Sequence, residues 1–384
     1  MTDQLFTDDP SESEAAVVGR SIRDAIQLAM LPGLGPRTLA ALLDRFEDPG
    51  RVLRADPHEL GSVPGVGPKL VHTIRTATDF VDVDAVLAWC GENESTVVPI
   101  DDPRYPMSLK ELDDAPPLLF VRGDLIQTDA LSVAIVGTRH ATSYGLRQAE
   151  RMAYGLAKAG VTVVSGLARG IDSAAHAGAI DGGGRTIAVL GGGLGEIYPP
   201  ENKGLAARCA ASGAVVSEQS PQTKPRGGLF PQRNRLIAGM TLATLVIEAP
   251  DRSGSLITAR LAHEQNRDVL ALPGPVTSRA SRGCNQLIRD GAVLVQTVDD
   301  VLEAIGPMQT PLRTDDGNEV RHGAELQLNE IEQAVLQAID AESTSIDTVI
   351  AKSELPAHRV MSTISVLEMR RLIRRLSGQY VSRI

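Results

Sequence analysis

Short, largely apolar runs followed by glycine alternate with amphipathic helical segments through the middle of this chain, and no other feature restricts the fold as strongly. The first three runs are Ser132-Val-Ala-Ile-Val136, Val161-Thr-Val-Val-Ser165 and Thr186-Ile-Ala-Val-Leu190. Apolar runs of about 4–8 residues that are separated by helices are typical of parallel strands buried on both faces. The sequence therefore predicts an α/β fold with a Rossmann-like, doubly wound, mostly parallel sheet.

The alternation continues to residue 305, and the predicted Rossmann-like domain spans residues 95–305. Further strands are predicted at Ala214–Ser217, Thr244–Glu248, Val269–Leu272 and Ala292–Val295. Helices are predicted between the strands, among them Tyr144–Ala159 and Arg169–Ile180. A proline-rich segment from Thr96 to Gly123 connects the centre of this domain to the residues before it.

A turn motif occurs twice before this domain. Leu31-Pro-Gly-Leu-Gly-Pro36 recurs as Val63-Pro-Gly-Val-Gly-Pro68, 32 residues later, and a helical pattern follows each copy. Glycine permits the tight turn of a helix-hairpin-helix, and the next helix presents its N-terminal amides. Residues 19–90 are therefore predicted to be a helical helix-hairpin-helix (SAM-like) domain. The amides could bind a DNA phosphate, or the glycines could serve only the turn.

The last part of the sequence has a different pattern. Residues 306–325 contain Pro, Gly, Thr and Asp with little periodicity and are predicted to be a linker. Residues 326–384 show helical patterns at about 328–339, 345–352 and 357–367, and then two strand-like runs around a Ser377-Gly378 turn. Three helices and a terminal hairpin predict a winged-helix-like domain.

Composition limits the kinds of function that are available. The 384 residues carry a net charge of −10, so any nucleic-acid site must be a local basic patch on an acidic protein. Aromatic residues make up only 3%, which argues against a long base-stacking platform. The acidic tail at residues 1–18 is expected to be disordered. Without a signal peptide or a long apolar run, we expect a cytoplasmic location and no contact with a membrane.

Candidate phosphate-binding residues follow the predicted strands, at the edge where open α/β sheets bind ligands. Glycine lets a ligand approach the backbone, the next helix offers free amides, and arginine pairs with phosphate. The candidates after the first three strands are Gly137, Thr138, Arg139, Ser165, Gly166, Arg169, Gly191 and Gly192. The glycines could serve only tight βα turns, but their convergence with two arginines at one edge favours a site that holds successive phosphates.

A second basic stretch lies just before an apolar helical run. Its two arginines, Arg233 and Arg235, are candidate bidentate phosphate donors. Asn234 between them can hydrogen-bond a sugar, a base or the backbone. The alternative is an internal salt-bridge cluster of the two arginines with Glu218 and Glu248.

Signatures of catalysis, cofactors and metals are sparse. Gly191-Gly-Gly-Leu-Gly195 follows a third strand and lacks the acidic ribose ligand of a dinucleotide fingerprint, so we expect no nucleotide cofactor. Asp172 and His176 share a helix face and could be a base with its orienting group, or a capping and packing pair. The three cysteines form no CxxC pair. We therefore predict no catalytic residue, no cofactor and no metal site.

Taken in order, these residues closely resemble the DNA-processing protein A family (DprA/Smf). The matching blocks include Val133–Arg139, Ser165–Asp172, Thr186–Gly191, Phe230–Arg235, Ser253–Thr258 and Gly283–Asn285. They cover the entire predicted Rossmann-like domain. The helix-hairpin-helix-like and winged-helix-like modules are also similar to those of the family's longer members.

The resemblance implies a DNA-binding mediator with no reaction of its own. Such a protein binds and protects single-stranded DNA in natural transformation, helps to load the RecA recombinase, and forms a homodimer through the Rossmann-like domain. The family's phosphate-gripping turn falls on Gly137-Thr138-Arg139. The family's basic pocket falls on Ser165-Gly166, Arg169 and Arg233-Asn234-Arg235, and a further lysine of some relatives would correspond to Lys203 or Lys224.

Two other functions stay open at the level of sequence. Related Rossmann-like folds include nucleoside-monophosphate phosphoribohydrolases, so one alternative is a small-nucleotide-binding enzyme or sensor. The Pro-Gly-Gly-x-Gly-Thr-x-x-Glu block of those enzymes is absent from this sequence. The other alternative is a regulator that binds double-stranded DNA through the C-terminal module. The arginines that favour it, although they could be only a solvated face, are Arg359, Arg370, Arg371, Arg374 and Arg375.

Overall fold

A computed structural model describes residues 14–305, 307–313, 319–322, 325, 328–340, 342–369, 372–376 and 379–383. These residues fall into two compact units. The first contains the described residues up to Gly123 together with Gly192–Glu196 and Val216–Pro225, and the second contains the others. Of the acidic tail predicted at residues 1–18, residues 1–13 lie outside the described residues, and helix α1 begins at Glu14.

The first unit consists of short helices and one pair of strands. Its helices are α1 (Glu14–Ala29), α2 (Pro36–Phe46), α3 (Pro49–Arg54), α4 (Pro57–Gly61), α5 (Pro68–Arg75), α6 (Val83–Glu92) and α7 (Met107–Lys110). Strands β1 (Ser95–Pro99) and β2 (Leu118–Gly123) pair antiparallel, with Val97 opposite Phe120. Residues 95–123, which the sequence assigns to the Rossmann-like domain, thus belong to this unit.

The two glycine turns of the first unit have the same construction. Gly33 and Gly65 adopt positive φ angles of +83° and +86°, a conformation that glycine reaches without a steric penalty. The helices that follow, α2 and α5, each begin with proline, whose missing N–H would have no helical partner at that position. Their N-caps, Gly35 and Gly67, have no side-chain cap hydrogen bond. The predicted helix-hairpin-helix tandem is confirmed.

The second unit contains a parallel sheet. Its strands are β3 (Ser132–Gly137), β4 (Thr162–Ser165), β5 (Thr186–Val189), β6 (Ala214–Ser217, whose last two residues belong to the first unit), β7 (Ala243–Ile247), β8 (Asp268–Ala271) and β9 (Val293–Leu294). Six of them run parallel in the order β5-β4-β3-β7-β8-β9. The chain moves outward from β3 through β4 to β5, and later returns beside β3 to continue outward from β7 to β9. This reversal confirms the predicted doubly wound sheet and creates a switch point at β3, where such sheets bind ligands.

Helices alternate with these strands and bury the apolar residues of β3. They are α8 (Ser143–Lys158), α9 (Ile171–Asp181), α10 (Lys203–Ser212), α11 (Leu229–Gly239), α12 (Gly254–Glu264), α13 (Arg282–Arg289) and α14 (Val298–Ala304). Helices α8 and α9 approach closely, since a Cβ on Gly178 would lie 2.4 Å from the carbonyl oxygen of Glu150. Ile135, Met152 and Leu245 are fully buried in the shared core. This packing fixes β3 and therefore the loop that leaves it.

The C-terminal residues form a cluster of helices with a small sheet. Its elements are β12 (Thr344–Ser345), α15 (Glu330–Gln337), α16 (Ile346–Ser353), α17 (Ala357–Met369), β13 (Ile373–Leu376) and β14 (Tyr380–Arg383). The strands pair in the order β12-β14-β13. Val335, Val349, Val360 and Val381 belong to one buried core. The predicted winged-helix-like module is confirmed.

Part of the segment predicted as a linker forms strands. Strands β10 (Pro307–Arg313) and β11 (Glu319–His322) pair antiparallel, with Leu312 opposite Val320. Threonine and valine favour extended structure, which helical periodicity does not reveal. The other residues of the predicted linker, except Glu325, lie outside the described residues.

Candidate functional site

The loop that leaves β3 is fixed by the neighbouring strand. A Cβ on Gly137 would lie 2.0 Å from the carbonyl oxygen of Ile247 on β7, so only glycine fits there. The amide of the mostly buried Thr138 donates to the carbonyl oxygen of Glu248, 2.7 Å away. The exposed Arg139 follows directly, and its side chain starts from an anchored backbone.

Glu248 connects the end of β7 to the start of α8. Its carboxylate accepts hydrogen bonds from the amide and the hydroxyl of Thr142, the N-cap residue of α8. A Cβ on Gly145 would lie 2.2 Å from this carboxylate, so the helix needs glycine at that position. These contacts of Glu248 are with α8, whereas the alternative interpretation of the second basic stretch placed it among arginines.

The loop that leaves β4, residues 166–170, is closed by a buried aspartate. Oδ2 of Asp172, in the first turn of α9, accepts hydrogen bonds from the amides of Gly166, at 3.2 Å, and Ala168, at 3.3 Å. Burial raises the pKa of Asp172 to about 6, against the opposing effects of Arg233 and of these amides. A carboxylate of the protein therefore occupies two amides that a phosphate would use in a simple anion-binding loop.

The guanidinium of Arg233 joins the ends of β4 and β5. Arg233 is 4% exposed, and its Nη1 donates to the carbonyl oxygens of Gly166, 2.7 Å away, and Val189. A Cβ on Gly166 would lie 2.5 Å from both Nη atoms, so glycine makes room for the guanidinium. Burial lowers the pKa of Arg233 to about 10, Asp172 opposes this shift, and repulsion by Arg139 adds to it. Arg233 is still charged at neutral pH and provides a fixed positive charge behind the loop.

Three arginines meet at one open pocket beside these loops. The pocket contains about 280 Å³ of space not filled by protein atoms, which includes open solvent at its mouth. Its lining residues are Arg139, Gly166, Ala168, Arg169, Tyr198, Pro199, Phe230 and Arg233. The structure thus brings together residues from the ends of β3 and β4 with residues from the start of α11.

Two aromatic rings form one wall of the pocket. The guanidinium carbon of Arg139 lies 5.3 Å from the centroid of the Phe230 ring, in a cation–π contact. The Tyr198 ring lies 5.8 Å from that of Phe230 at an interplanar angle of 44°. A Cβ on Gly191 would lie 2.9 Å from Cδ1 of Phe230, so this glycine makes room for the ring. Guanidinium groups can pair with a phosphate and an exposed ring can stack on a base.

An ion pair lies at the pocket, between the loop after β4 and the segment before α10. Nε of Arg169 donates to Oε1 of Glu201. The next residue, Asn202, donates from Nδ2 to the carbonyl oxygen of Leu167 and to Oγ of Ser173, both at 2.8 Å. The backbone that carries Glu201 is therefore bound to the loop that carries Arg169.

The glycine-rich segment after β5 serves close backbone packing. The amides of Gly193 and Gly195 donate to the carbonyl oxygens of Thr223 and Pro221, each at 2.8 Å. A Cβ on Gly192 would lie 2.9 Å from the same oxygen of Thr223. These two amides are therefore used within the protein instead of pointing at a pyrophosphate.

The other predicted residues do not line the pocket. Ser165 is fully buried, and its hydroxyl donates to a carbonyl oxygen of β3 at 2.6 Å. Arg235 is 5% exposed and Asn234 is half-buried. Of the two lysines considered, Lys203 is exposed at the start of α10, and Lys224 is exposed in the first unit.

Asp172 and His176 bond to different partners. Nδ1 of the fully buried His176 lies 2.7 Å from Oγ1 of Thr186, and burial lowers the pKa of this histidine to about 3. These contacts give the two residues separate structural roles. Within the described ranges, no group of three or more His, Cys, Asp and Glu side chains could hold a metal ion. The same ranges contain no helix with the length and apolar character needed to span a bilayer.

Residues 96–306 match the family model described as DNA recombination-mediator protein A. The chain belongs to the DNA recombination-mediator protein A family. Its other two modules match as well, residues 321–379 to the DprA winged helix domain and residues 25–77 to a SAM-like helix-hairpin-helix tandem. The resemblance noted from the sequence blocks is confirmed.

Similar proteins and similar solved structures support this family assignment. Protein Smf of Synechocystis sp. is 40% identical over 282 residues, which cover 72% of this chain and 71% of that protein. The X-ray structure of DNA processing protein A from Streptococcus pneumoniae matches with a TM-score of 0.61 and 35% identity, over 76% of this chain and 97% of that chain. DNA processing protein A from Helicobacter pylori, whose structure is described for its single-stranded DNA binding mode, matches with a TM-score of 0.50 and 30% identity, over 55% and 95%.

Three residues that shape the pocket are absent from the site residues predicted from the sequence: Tyr198, Phe230 and Asp172. The whole sequence has five tyrosines and five phenylalanines, so two rings beside glycine- and arginine-rich blocks were a usable signal. The sequence suggests a pairing of Asp172 with His176 because they lie one helical turn apart. Its actual partners lie upstream in the loop, where helix periodicity gives no information.

Proposed function

We propose that this protein binds single-stranded DNA in the pocket lined by Arg139, Arg169, Arg233, Tyr198 and Phe230, and that it acts as a recombination mediator with no reaction of its own. The observation that carries the proposal is the contact of Arg139 with the Phe230 ring, 5.3 Å apart, beside two further arginines in a solvent-open pocket. Such a site offers guanidinium groups to phosphates and a ring face to a base.

The predicted residues divide into two roles in this proposal. Arg139 and Arg169 are exposed and bind phosphates directly. Arg233 donates to two backbone carbonyls, so it supplies charge from behind the loop and holds the loop in place. Gly166 and Gly191 make room for the Arg233 guanidinium and the Phe230 ring, and Gly137 fits β3 against β7. The remaining predicted residues do not line the pocket and are Thr138, Ser165, Gly192, Asn234 and Arg235.

A nucleic-acid strand suits this pocket better than a small nucleotide that is to be transformed. None of the eight described residues that line it carries a carboxylate, so the lining offers no acidic general base. A base of a single strand can leave its neighbours and reach an aromatic ring, whereas a paired base is stacked inside the duplex. The Helicobacter pylori relative, described for its single-stranded DNA binding mode, supports the same choice.

The further roles that the resemblance implies belong to the same proposal. Bound single strands are protected during natural transformation and are passed to the RecA recombinase. The protein forms a homodimer through the Rossmann-like sheet. The edge strand β9 supports the dimer, because Val293 and Leu294 are 44% and 46% exposed and an apolar edge strand favours pairing with another chain.

A matched pair of arginine variants tests the pocket. Arg139→Ala is expected to weaken the binding of fluorescently labelled oligo-dT about tenfold. The variant loses the charge-assisted hydrogen bond of Arg139 to a phosphate and its cation–π contact with the Phe230 ring. Arg208→Ala removes an arginine that lies outside the pocket and pairs with Asp181, and it should bind as the wild type does. Equal affinity of Arg139→Ala and the wild type for oligo-dT would contradict the proposal.

A further inference from the structure

The ion pair of Arg169 and Glu201 lies at the proposed DNA-binding pocket, which Arg169 lines. Both side chains are 51% exposed, and Arg169 lines the pocket as Arg139 does. The contact raises the pKa of Arg169 and lowers that of Glu201, so both groups are charged at neutral pH. In the protein without DNA, a carboxylate therefore already occupies one of the proposed phosphate-binding arginines.

The backbone around Glu201 is held against the loop of Arg169. Asn202 donates to the carbonyl oxygen of Leu167 and to Oγ of Ser173, both at 2.8 Å, and its amide donates to the carbonyl oxygen of Pro199 at 3.0 Å. These bonds flank Glu201 and keep its side chain within reach of the guanidinium. Because the carboxylate is tethered, its effective concentration at Arg169 far exceeds that of a free anion.

Stability alone gives little reason for such a pair. Exposed ion pairs contribute little to folding, because water screens the charges and both side chains lose freedom. Carboxylates and phosphates use the same bidentate face of a guanidinium, so they compete for it. We infer that Glu201 acts as an internal anion on Arg169, which a DNA phosphate must displace, and that it thereby limits the affinity of the pocket for single-stranded DNA. The inference rests on the proposed function of this pocket.

A double-mutant cycle tests the competition in the full-length protein. Fluorescence anisotropy with labelled oligo-dT is measured for the wild type, Glu201→Gln, Arg169→Ala and the double variant. Glu201→Gln keeps the size of the side chain and should tighten binding about two- to fivefold, the range expected for removal of one exposed ion pair. In the Arg169→Ala background the same substitution should change affinity very little, because the contested guanidinium is gone.

A second ion pair provides the control for net charge. Asp181 and Arg208 are also exposed, at 64% and 50%, with 2.8 Å between the charged atoms, and neither residue lines the pocket. Asp181→Asn removes the same charge as Glu201→Gln but frees no arginine of the pocket. It should therefore raise the affinity for oligo-dT less than Glu201→Gln does. Thermal unfolding of each variant, expected to match the wild type, verifies that folding is intact.

Three results would overturn the inference. Weaker or equal binding by Glu201→Gln would mean that Glu201 orients Arg169 or is inert. An equal gain in the Arg169→Ala background, or an equal gain from Asp181→Asn, would mean that the charge acts at long range. Failure of the pocket itself would appear separately, as an Arg139→Ala variant that binds as the wild type does.

Discussion

Arg233 donates a hydrogen bond from Nη1 to the carbonyl oxygen of Gly166, 2.7 Å away, across 67 positions of the chain. The guanidinium fits because Gly166 has no Cβ, which would lie 2.5 Å from both Nη atoms. The buried guanidinium of Arg233 and the backbone at Gly166 therefore hold each other in place. The shape of the pocket depends on this contact, because the same loop carries Arg169.

Removal of the Arg233 side chain should destabilise the fold. The Arg233→Ala variant loses two hydrogen bonds to carbonyl oxygens and leaves the buried Asp172 without the positive charge that most favours its ionised form. We expect the free energy of unfolding to fall by about 3 kcal/mol or more, as for other broken buried charge pairs. Urea denaturation measures the change, with Arg208→Ala as an exposed control that should differ from the wild type by less than about 0.5 kcal/mol. A wild-type midpoint for Arg233→Ala would show that the buried guanidinium is dispensable.

The stability of the protein should depend on the ionisation of Asp172. The folded pKa is about 6, above the ~3.9 of an unfolded aspartate. Between these values the folded state binds more protons than the unfolded state, so the contribution of this carboxyl is full below about pH 4 and is lost as pH rises through 6.

Asp172→Asn cannot ionise and should lack this dependence. Relative to the wild type, its free energy of unfolding should rise by on the order of 3 kcal/mol between pH 4 and pH 7. Equilibrium denaturation at the two pH values gives the difference. A difference that stays constant with pH would contradict the raised pKa.

Two glycine substitutions should change the stability of the folded protein in opposite directions. Gly137→Ala places a Cβ 2.0 Å from the carbonyl oxygen of Ile247 and must separate β3 from β7, at a cost of about 2–3 kcal/mol. Gly204, inside α10, has no heavy atom within 4 Å of an added Cβ. Gly204→Ala should therefore stabilise the protein by about 0.5–1 kcal/mol, because alanine favours a helix. Thermal unfolding measures the stability of both variants. Loss of stability in both would show that helix α10 needs Gly204 for a reason other than helix propensity.

A charge on the edge strand should separate the proposed dimer. Leu294 lies on β9 with 46% of its surface exposed. Leu294→Glu would bring two carboxylates together in a symmetric contact, which is unfavourable because both would lose water. Light scattering after size exclusion should report the monomer mass for this variant. Tyr154→Glu, at a 45% exposed position of α8, should keep the wild-type mass, and a dimer of Leu294→Glu would place the interface elsewhere.

The fold could be predicted because its signals are local. The predicted strand Thr244–Glu248 corresponds to β7 at Ala243–Ile247, and the predicted helix Tyr144–Ala159 to α8 at Ser143–Lys158. Apolar runs and helical periodicity are patterns of neighbouring residues, so both elements form where they are predicted and only their ends shift. The start of α8 shifts because Thr142 caps it, with its hydroxyl and amide bound to Glu248, which directly follows the distant strand β7.

The site could be predicted only in part, because burial depends on distant residues. The sequence around Arg233 does not show whether its side chain faces DNA or the protein interior. The carbonyl groups that accept its hydrogen bonds lie 67 and 44 positions away in the chain. The pairing of Gly193 with Thr223 is likewise invisible to motif reading. Residue type and strand-end position were sufficient to indicate Arg139 and Arg169, which line the pocket at the surface.

The salt dependence of single-stranded DNA binding tests the central claim most directly. Each phosphate that a protein neutralises on a single strand contributes about −0.7 to the slope of log affinity against log salt concentration. The oligo-dT affinities of the wild type and Arg139→Ala are measured at low and at high salt. We predict tighter binding by the wild type at both concentrations and a slope that is steeper by about 0.7. Equal affinities and equal slopes for the two proteins would contradict the assignment of Arg139 as a phosphate ligand in this pocket.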